Sequence, residues 1–242
     1  MSGGLSVVLP AYNESANIRG SLEAVLGWIG GSGVWGEVIV VDDGSVDDTA
    51  GVVRAVAAAD RRVRLVQHTR NLGYGAALRS GFAAARGEYV FFTDADLQFR
   101  IEDMARLSPF SRDYDVVVGY REQRADPLGR RINARAWNEL VNSLFSVGVR
   151  DVDCAFKLFH RRVLERVGVS STGAFLNSEL LVRARSAGFR IKEVPVPHYP
   201  RLAGRATGAR VAVIGRAFWE LLSLHEDLRP GRRRISLAAP AS

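Results

Sequence analysis

The sequence of 242 residues predicts an α/β domain built on a mostly parallel sheet. Two observations carry this. Over the first half of the chain, short apolar runs alternate with segments of helical periodicity, the pattern of strands joined by right-handed helical crossovers. Polar and acidic side chains then stand directly after the apolar runs: Asn13 and Glu14, Asp42 and Asp43, Asp94 and Asp96. Open parallel sheets bind ligands at the carboxyl ends of their strands, so the chemically loaded residues fall where such a fold places a ligand.

Leu5 to Pro10 is an apolar run and reads as a buried strand. Residues 13–29 place Ile18, Leu22, Val25, Leu26 and Ile29 on one helical face, and Gly30, Gly31 and Gly33 are expected to end that helix. Glu37 to Val41 is the second strand. Residues 47–59 are a helix opened by acidic side chains, which favour a helix N-terminus. Val63 to Gln67 is a strand, 75–85 a helix, and Tyr89 to Thr93 the fourth strand. Val116 to Val118 belong to a fifth apolar run. Beyond residue 120 the alternation stops. Residues 121–135 read as a polar, Arg-rich stretch before a helix over 136–145. A strand over 151–159, a helix over 176–187 and a strand over 190–196 follow. An Arg- and Gly-rich loop over 200–208 leads to a last helix over 209–226. The expected organisation is one domain over 1–226 and a disordered basic tail over 227–242 that carries Arg232, Arg233 and Arg234.

The net charge is +7, and every basic residue except Lys157 and Lys192 is arginine. A basic balance points to an anionic partner, and arginine suits bidentate contact with phosphate; composition bias of the source genome is the alternative. The arginines are scattered and no nucleic-acid motif accompanies them, so no nucleic-acid partner is expected. Cys154 is the only cysteine, which excludes an intrachain disulfide and reads as a small buried residue. No apolar stretch has the length of a membrane span, and nothing resembling a signal peptide precedes Leu5. The expected location is therefore cytoplasmic.

The strongest chemical signal is Asp94-Ala95-Asp96, after the apolar run Tyr89 to Phe92. Carboxylates at i and i+2 of an extended segment project to one side and can share a hard divalent cation, Mg²⁺ or Mn²⁺, whose shell substrate phosphates and waters complete. A solvated acidic loop is the bland alternative. Asp42 and Asp43 can accept from a base N–H or a ribose hydroxyl, or serve as helix caps with Ser45. Asn71-Leu72-Gly73-Tyr74-Gly75 opens a helix with glycines that allow positive φ and close approach to a ligand. It follows the third strand rather than the first, and Leu78 stands at the last glycine position of a dinucleotide fingerprint. The first strand-to-helix turn, Pro10-Ala11-Tyr12-Asn13-Glu14, contains no glycine. Nicotinamide dehydrogenases and P-loop NTPases are thereby disfavoured, as is a nucleotidyltransferase with a glycine-rich loop after strand one.

In combination and order, Val8 to Glu14, Val40 to Ser45, Asn71 to Ala76 and Asp94 to Gln98 resemble glycosyltransferase family 2. Within it, the resemblance is to the dolichyl- and polyprenyl-phosphate mannose or glucose synthases. It covers about residues 5–210 and implies the GT-A fold, with a nucleotide-binding half over 1–119 and an acceptor-binding half over 120–226. It also implies roles. Pro10, Ala11, Tyr12, Glu14 and Asp42 would line the nucleotide pocket, joined by Asp43, Gly73 and Ala95. Asp94 and Asp96 would hold the metal, with Gln98 beside them. Arg121 would contact phosphates or acceptor. Arg130 or Arg131 would face the acceptor phosphate, together with Lys157, and Arg201 would belong to a loop closing over the diphosphate. Ala155, Lys157 and Arg205-Ala206-Thr207 depart from the family's usual residues, which leaves acceptor and sugar open.

The chemistry implied is transfer of a sugar from GDP-mannose or a UDP-glucose-type donor, with inversion, onto a polyprenyl or dolichyl phosphate. Such an acceptor is already anionic and needs no strong base. A hydroxyl acceptor would need one, for which Glu179 is the candidate; an ordinary acidic residue at a helix start is the alternative. An inactive nucleotide-sugar-binding scaffold is a further alternative. The last helix aligns Val211, Ile214, Phe218, Leu221 and Leu222. This stripe suits either a membrane interface near a lipid substrate, aided by the basic tail, or docking on the protein's own core.

Overall fold

The structure is a computed structural model that describes residues 3–122, 128–200 and 211–228, apart from the side chains of 128, 130 and 211–214. Its elements in chain order are β1 (Leu5–Ala11), α1 (Ile18–Ser32), β2 (Gly36–Asp42), α2 (Thr49–Ala59), β3 (Val63–Gln67), α3 (Tyr74–Ala84), β4 (Tyr89–Thr93) and α4 (Met104–Leu107). These are followed by β5 (Val116–Arg121), α5 (Leu128–Phe145), β6 (Phe156–His160), α6 (Arg161–Arg166), α7 (Leu176–Ser186), β7 (Ile191–Val196) and α8 (Val211–Leu228).

The strands form one sheet in the order β3-β2-β1-β4-β6-β5-β7. β1 pairs in parallel with β2 and β4, and β2 with β3. β6 runs antiparallel to both β4 and β5, and β5 pairs in parallel with β7. Every strand but β6 therefore points the same way, and their carboxyl ends share one edge of the sheet. β1, β2 and β4 are buried along their whole length, as continuous apolar runs require when helices cover both faces. The steps from β1 to β2 to β3 move in one direction, so right-handed crossovers put α1 and α2 on one face. The step back from β3 to β4 puts α3 on the other.

Three boundaries differ from the sequence expectation. α1 begins at Ile18 and runs through Gly30 and Gly31, ending instead at Gly33, which takes the left-handed conformation (φ 67°) of a helix C-cap. An exposed glycine costs a helix about 1 kcal/mol and does not by itself stop it. α5 begins at Leu128, within the stretch that reads as irregular. Its first turns carry exposed side chains from Arg131 to Asn133, so no apolar periodicity marks them. The strand expected over 151–159 is a turn as far as Ala155, and only Phe156–His160 joins the sheet.

Candidate active site

The pairing of β1 leaves a crevice at the carboxyl edge. β1 and β4 pair from Leu5 and Tyr89 only as far as Val8 and Phe92, whereas β1 and β2 stay paired to Ala11 and Asp42. Pro10 lies past the last β1–β4 pair, so its missing N–H leaves no β4 partner unpaired. The chain leaves β1 toward β2 and later returns to β4 on β1's other side. This reversal of strand order marks the ligand crevice of open α/β sheets.

Two loops border the crevice on the β1–β2 side and are laced together. Asn13 adopts φ 56°, a left-handed conformation that asparagine tolerates. Its amide donates to Ser45 Oγ at 2.9 Å, and its Oδ1 accepts the Val46 amide at 2.9 Å. The amides of Glu14 and Ser15 donate to Thr49 Oγ1 and Asp47 Oδ2. Glu14 accepts from the Asn17 side chain at 2.7 Å, and Tyr12 projects outward from the rim. The two acids closing β2 are both buried and engaged. Asp42 accepts from the Ser45 amide and from Gln67 Nε2. Asp43 takes His68 Nδ1 at 2.6 Å and the amides of Leu72 and Gly73 at 2.9 and 2.8 Å. The Asp43 carboxylate anchors the loop that leads into α3.

Gly73 lies close to the chain itself. Its φ is 103°, and a Cβ there would lie 2.4 Å from the Thr172 carbonyl oxygen. At Gly75 a Cβ would come within 2.7 Å of the carbonyl oxygens of Ser171 and Gly173. The close approach these glycines allow is to the 171–173 turn of the chain itself. That turn caps α3: the amide of Gly75 donates to Thr172 O at 2.8 Å, and that of Ala76 at 3.3 Å.

The carboxylate pair stands at the end of β4, on the crevice. Asp94 is partly exposed and accepts the Tyr74 hydroxyl on Oδ1 at 3.0 Å. Burial first, and Asp94 second, push the Tyr74 phenol well above its ordinary value, so it stays a proton donor. Asp96 is 3% exposed and accepts the Gln98 amide at 3.1 Å across a turn in which Leu97 takes φ 59°. Ala95 is buried, and its carbonyl is held by Ser21 Oγ of α1 at 2.9 Å. Gln98 donates its side-chain nitrogen to Tyr199 O at 3.2 Å and accepts the Tyr199 amide on its own carbonyl, which brings the segment after β7 to this turn. A left-handed, non-glycine residue on each side of the crevice, Asn13 and Leu97, is the kind of strain that gathers at functional sites.

Two hard oxygen donors set together at the crevice fit Mg²⁺ or Mn²⁺, cations that take a few protein carboxylates and complete their shell with phosphate oxygens and water. Among the described residues no group of three or more His, Cys, Asp or Glu side chains could enclose a metal by itself. The fit is therefore to a cation shared with a phosphorylated substrate.

The second half of the chain places its residues differently from expectation. Arg121 ends β5 and grips Asp151 through Nε and Nη2, both at 2.7 Å. Arg131 is exposed on α5. The side chain of Arg130 and all of Arg201 lie outside the described residues. Lys157, expected at an acceptor phosphate, is 0% exposed. Its ammonium donates to the Cys154 carbonyl and to Asn177 Oδ1, and desolvation lowers its pKa. Cys154 is buried as expected, its thiol pushed up to about 12, by burial above all. Glu179, the candidate base for a hydroxyl acceptor, is 1% exposed. It accepts the amides of Ser170 and Ser171, the Ser170 hydroxyl and Arg183 Nε. Glu179 thereby fixes the turn that caps α3.

A sequence model of glycosyl transferase family 2 matches residues 6–168. The chain belongs to glycosyl transferase family 2. This family 2 glycosyltransferase is 37% identical over 209 residues to glycosyltransferase AglD of Haloferax volcanii, covering 81% of this chain and 33% of that one. It is 36% identical over 163 residues to an undecaprenyl-phosphate 4-deoxy-4-formamido-L-arabinose transferase of Pseudomonas paraeruginosa, covering 66% of this chain and 48% of that one. With a dolichyl-phosphate beta-glucosyltransferase of Trichomonas vaginalis the identity is 31% over 210 residues, 79% of this chain and 64% of the relative. The chain thus spans between a third and two thirds of the length of these curated relatives. Among solved structures, glucosyl-3-phosphoglycerate synthase from Mycobacterium tuberculosis with Mn²⁺, UDP-glucose and phosphoglyceric acid superposes with a TM-score of 0.75 at 23% identity, over 93% of this chain and 80% of that one. The same synthase with Mg²⁺ and UDP also gives a TM-score of 0.75, at 24% identity, over 93% and 80%. The fold of this family 2 glycosyltransferase is GT-A, as the motifs imply.

Three side chains near the carboxylate pair escape a reading by motif. Tyr74 lies inside the glycine-rich segment, where the glycines draw attention and the phenol does not. Asn177 sits two residues before the more conspicuous Glu179. His198 packs its ring 5.2 Å from that of Phe99, just before the Tyr199 that docks on Gln98. A histidine two residues after β7 was the signal for it.

Proposed function

We propose that the chain is the catalytic domain of a hexosyltransferase that moves a sugar from a nucleoside-diphosphate sugar to a polyprenyl phosphate. The observation that carries the donor side is the Asp94–Asp96 pair at the β1–β4 crevice, on a GT-A fold whose solved examples hold Mn²⁺ or Mg²⁺ with UDP. A divalent cation bound there with the donor diphosphate would neutralise its charge as it leaves. Residues 1–119 would hold the nucleotide and 120–226 the acceptor.

In the reaction, an oxygen of the acceptor phosphate attacks the anomeric carbon. A new C–O bond forms as the bond to the diphosphate breaks, inverting the centre and releasing the nucleoside diphosphate. The attacking oxygen is already anionic, so no proton need be removed. That agrees with Glu179 being spent on structure and supports a phosphate over a hydroxyl acceptor. The names of the Pseudomonas and Trichomonas relatives support the same acceptor class. Arg121, held rigidly by Asp151, would orient a phosphate at the β5 end of the crevice.

Transfer assays with GDP-mannose and UDP-glucose, each with a short polyprenyl phosphate and with Mn²⁺, Mg²⁺ or chelator, test this reading. The expected product is a polyprenyl-phosphate hexose formed with metal and absent with chelator. Donor turnover only onto hydroxyl acceptors would replace the phosphate acceptor.

A lipid acceptor places the enzyme at a membrane surface, on the cytoplasmic face. Among the described residues no helix is long and apolar enough to cross a membrane. α8 instead buries Leu221 and Leu224 inward and leaves Phe218, Leu222 and the 70%-exposed Trp219 facing out, with exposed Arg216 beside them. Apolar anchors next to a cation suit an anionic interface. One face of α8 thus docks on the core, and the other is the face that would meet the membrane. The Arg-rich tail lies outside the described residues. Phe218→Ser with Trp219→Ser is expected to weaken cosedimentation with phosphatidylglycerol vesicles at least about a hundredfold, since each buried aromatic contributes about 1.5–3 kcal/mol and each 1.4 kcal/mol is a factor of ten. Unchanged cosedimentation would remove this contact.

A further inference from the structure

A fully buried lysine inside a sheet is costly unless something uses it, and the transfer chemistry above does not use Lys157. The register of the sheet indicates what does. Lys157 lies directly opposite Phe92 in the antiparallel β4–β6 pair. Directly opposite residues share a face, and so do Phe92 and Asp94, two positions apart along the strand. The Lys157 ammonium lies 5.3 Å from the centre of the Phe92 ring, on the face where Asp94 meets α3.

From that ammonium a run of hydrogen bonds leads to the carboxylate pair. Lys157 Nζ donates to Asn177 Oδ1 at 3.2 Å. The Asn177 side chain also bonds the Tyr74 hydroxyl. With its oxygen occupied by Lys157, the amide presents its nitrogen to Tyr74. The Tyr74 hydroxyl donates in turn to Asp94 Oδ1 at 3.0 Å. Every donor in the run points toward Asp94, an alignment in which successive hydrogen bonds polarise one another. The run begins in the second half of the chain, on β6 and α7, and ends on the metal-bearing turn of the first. Tyr74 in this run is clamped as well, because the 171–173 turn that Glu179 fixes holds the start of α3 immediately beside it.

We propose that Tyr74 is a positioning residue for the metal site: backed by Asn177 and Lys157, its hydroxyl holds the Asp94 carboxylate in the orientation in which it shares a divalent cation with Asp96. This rests on the proposed nucleotide-sugar transfer. Partners that orient a ligating group typically contribute tenfold to hundredfold in metal affinity. The test is Mn²⁺ binding to the chain in the presence of UDP or GDP, read from the loss of the free Mn²⁺ paramagnetic resonance signal, beside thermal melting without metal.

Wild type is expected to bind Mn²⁺ with one of these nucleotides. Tyr74→Phe is expected to bind it about tenfold to hundredfold more weakly, with a melting temperature lowered by no more than about 4 °C. Asn177→Ser is expected to weaken it by a smaller factor. The double variant should be no weaker than Tyr74→Phe alone, because Asn177 acts through the phenol. Mn²⁺ affinity within about twofold of wild type in a folded Tyr74→Phe protein, or an additive double variant, overturns the proposal. Should Tyr74→Phe not fold, wild-type affinity in Asn177→Ser overturns it equally. A wild-type chain that binds no Mn²⁺ with either nucleotide overturns the functional reading, and this proposal with it.

Discussion

Asp96→Ala is expected to lower metal-dependent sugar transfer about a thousandfold in kcat/KM. A bound cation supplies several kcal/mol of charge stabilisation at the leaving diphosphate, and each 1.4 kcal/mol is a factor of ten in rate. Asp96 is 3% exposed and accepts the Gln98 amide on one oxygen, so its removal loses at least that turn hydrogen bond. That bond contributes about 1 kcal/mol, and the melting temperature should fall by about 2–4 °C. The check is a transfer assay across a Mn²⁺ series. The wild type with chelator should fall to the level of the variant, and the variant should not respond to metal. Turnover by Asp96→Ala at the wild-type rate would remove the metal from the mechanism.

Glu179→Ala should destabilise the protein by about 3 kcal/mol and should act on the fold rather than on proton transfer. It leaves Arg183 and the amides of Ser170 and Ser171 without their acceptor in a buried place. For a chain of this size that corresponds to about 6–12 °C in melting temperature. The pH dependence has a definite sign. Burial alone would raise the Glu179 carboxyl, but the Ser171 hydrogen bonds and the Arg183 guanidinium outweigh it and hold the pKa below the ordinary 4.5. A folded-state pKa below the unfolded value gives stability that is present above pH 4.5 and lost as pH falls through the lowered folded value. Glu179→Gln, which does not ionise, should flatten that acid limb in denaturant titrations from pH 6 to 3. A general base would show instead as a loss of kcat at unchanged stability, and that outcome would return Glu179 to the chemistry.

The alternation of apolar runs with helical periodicity was enough to predict β1 to β4 and the helices between them, because continuous burial requires unbroken apolar runs. It also placed Asp94 and Asp96 at the edge where ligands bind, since that depends only on where each strand ends. The reversed β6 was not legible: a short apolar run reads the same in either direction, and its neighbours are chosen by packing. The start of α5 was hidden for the opposite reason, since an exposed helix carries no apolar period.

At the site, the sequence by itself determined which carboxylates stand at the crevice and to which family the motifs point. It could not decide which polar groups face a ligand. Asp43, Gly73, Lys157 and Glu179 all look like binding or catalytic residues in one dimension. In three dimensions each is engaged by the chain itself: Asp43 by the loop before α3, Gly73 by the Thr172 carbonyl, Lys157 by Asn177, and Glu179 by the 170–171 turn. Only the tertiary structure decides such cases. A buried polar atom must be satisfied by whatever partner the fold brings near, and partners lie as many as 101 positions away along the chain, as Tyr199 does from Gln98.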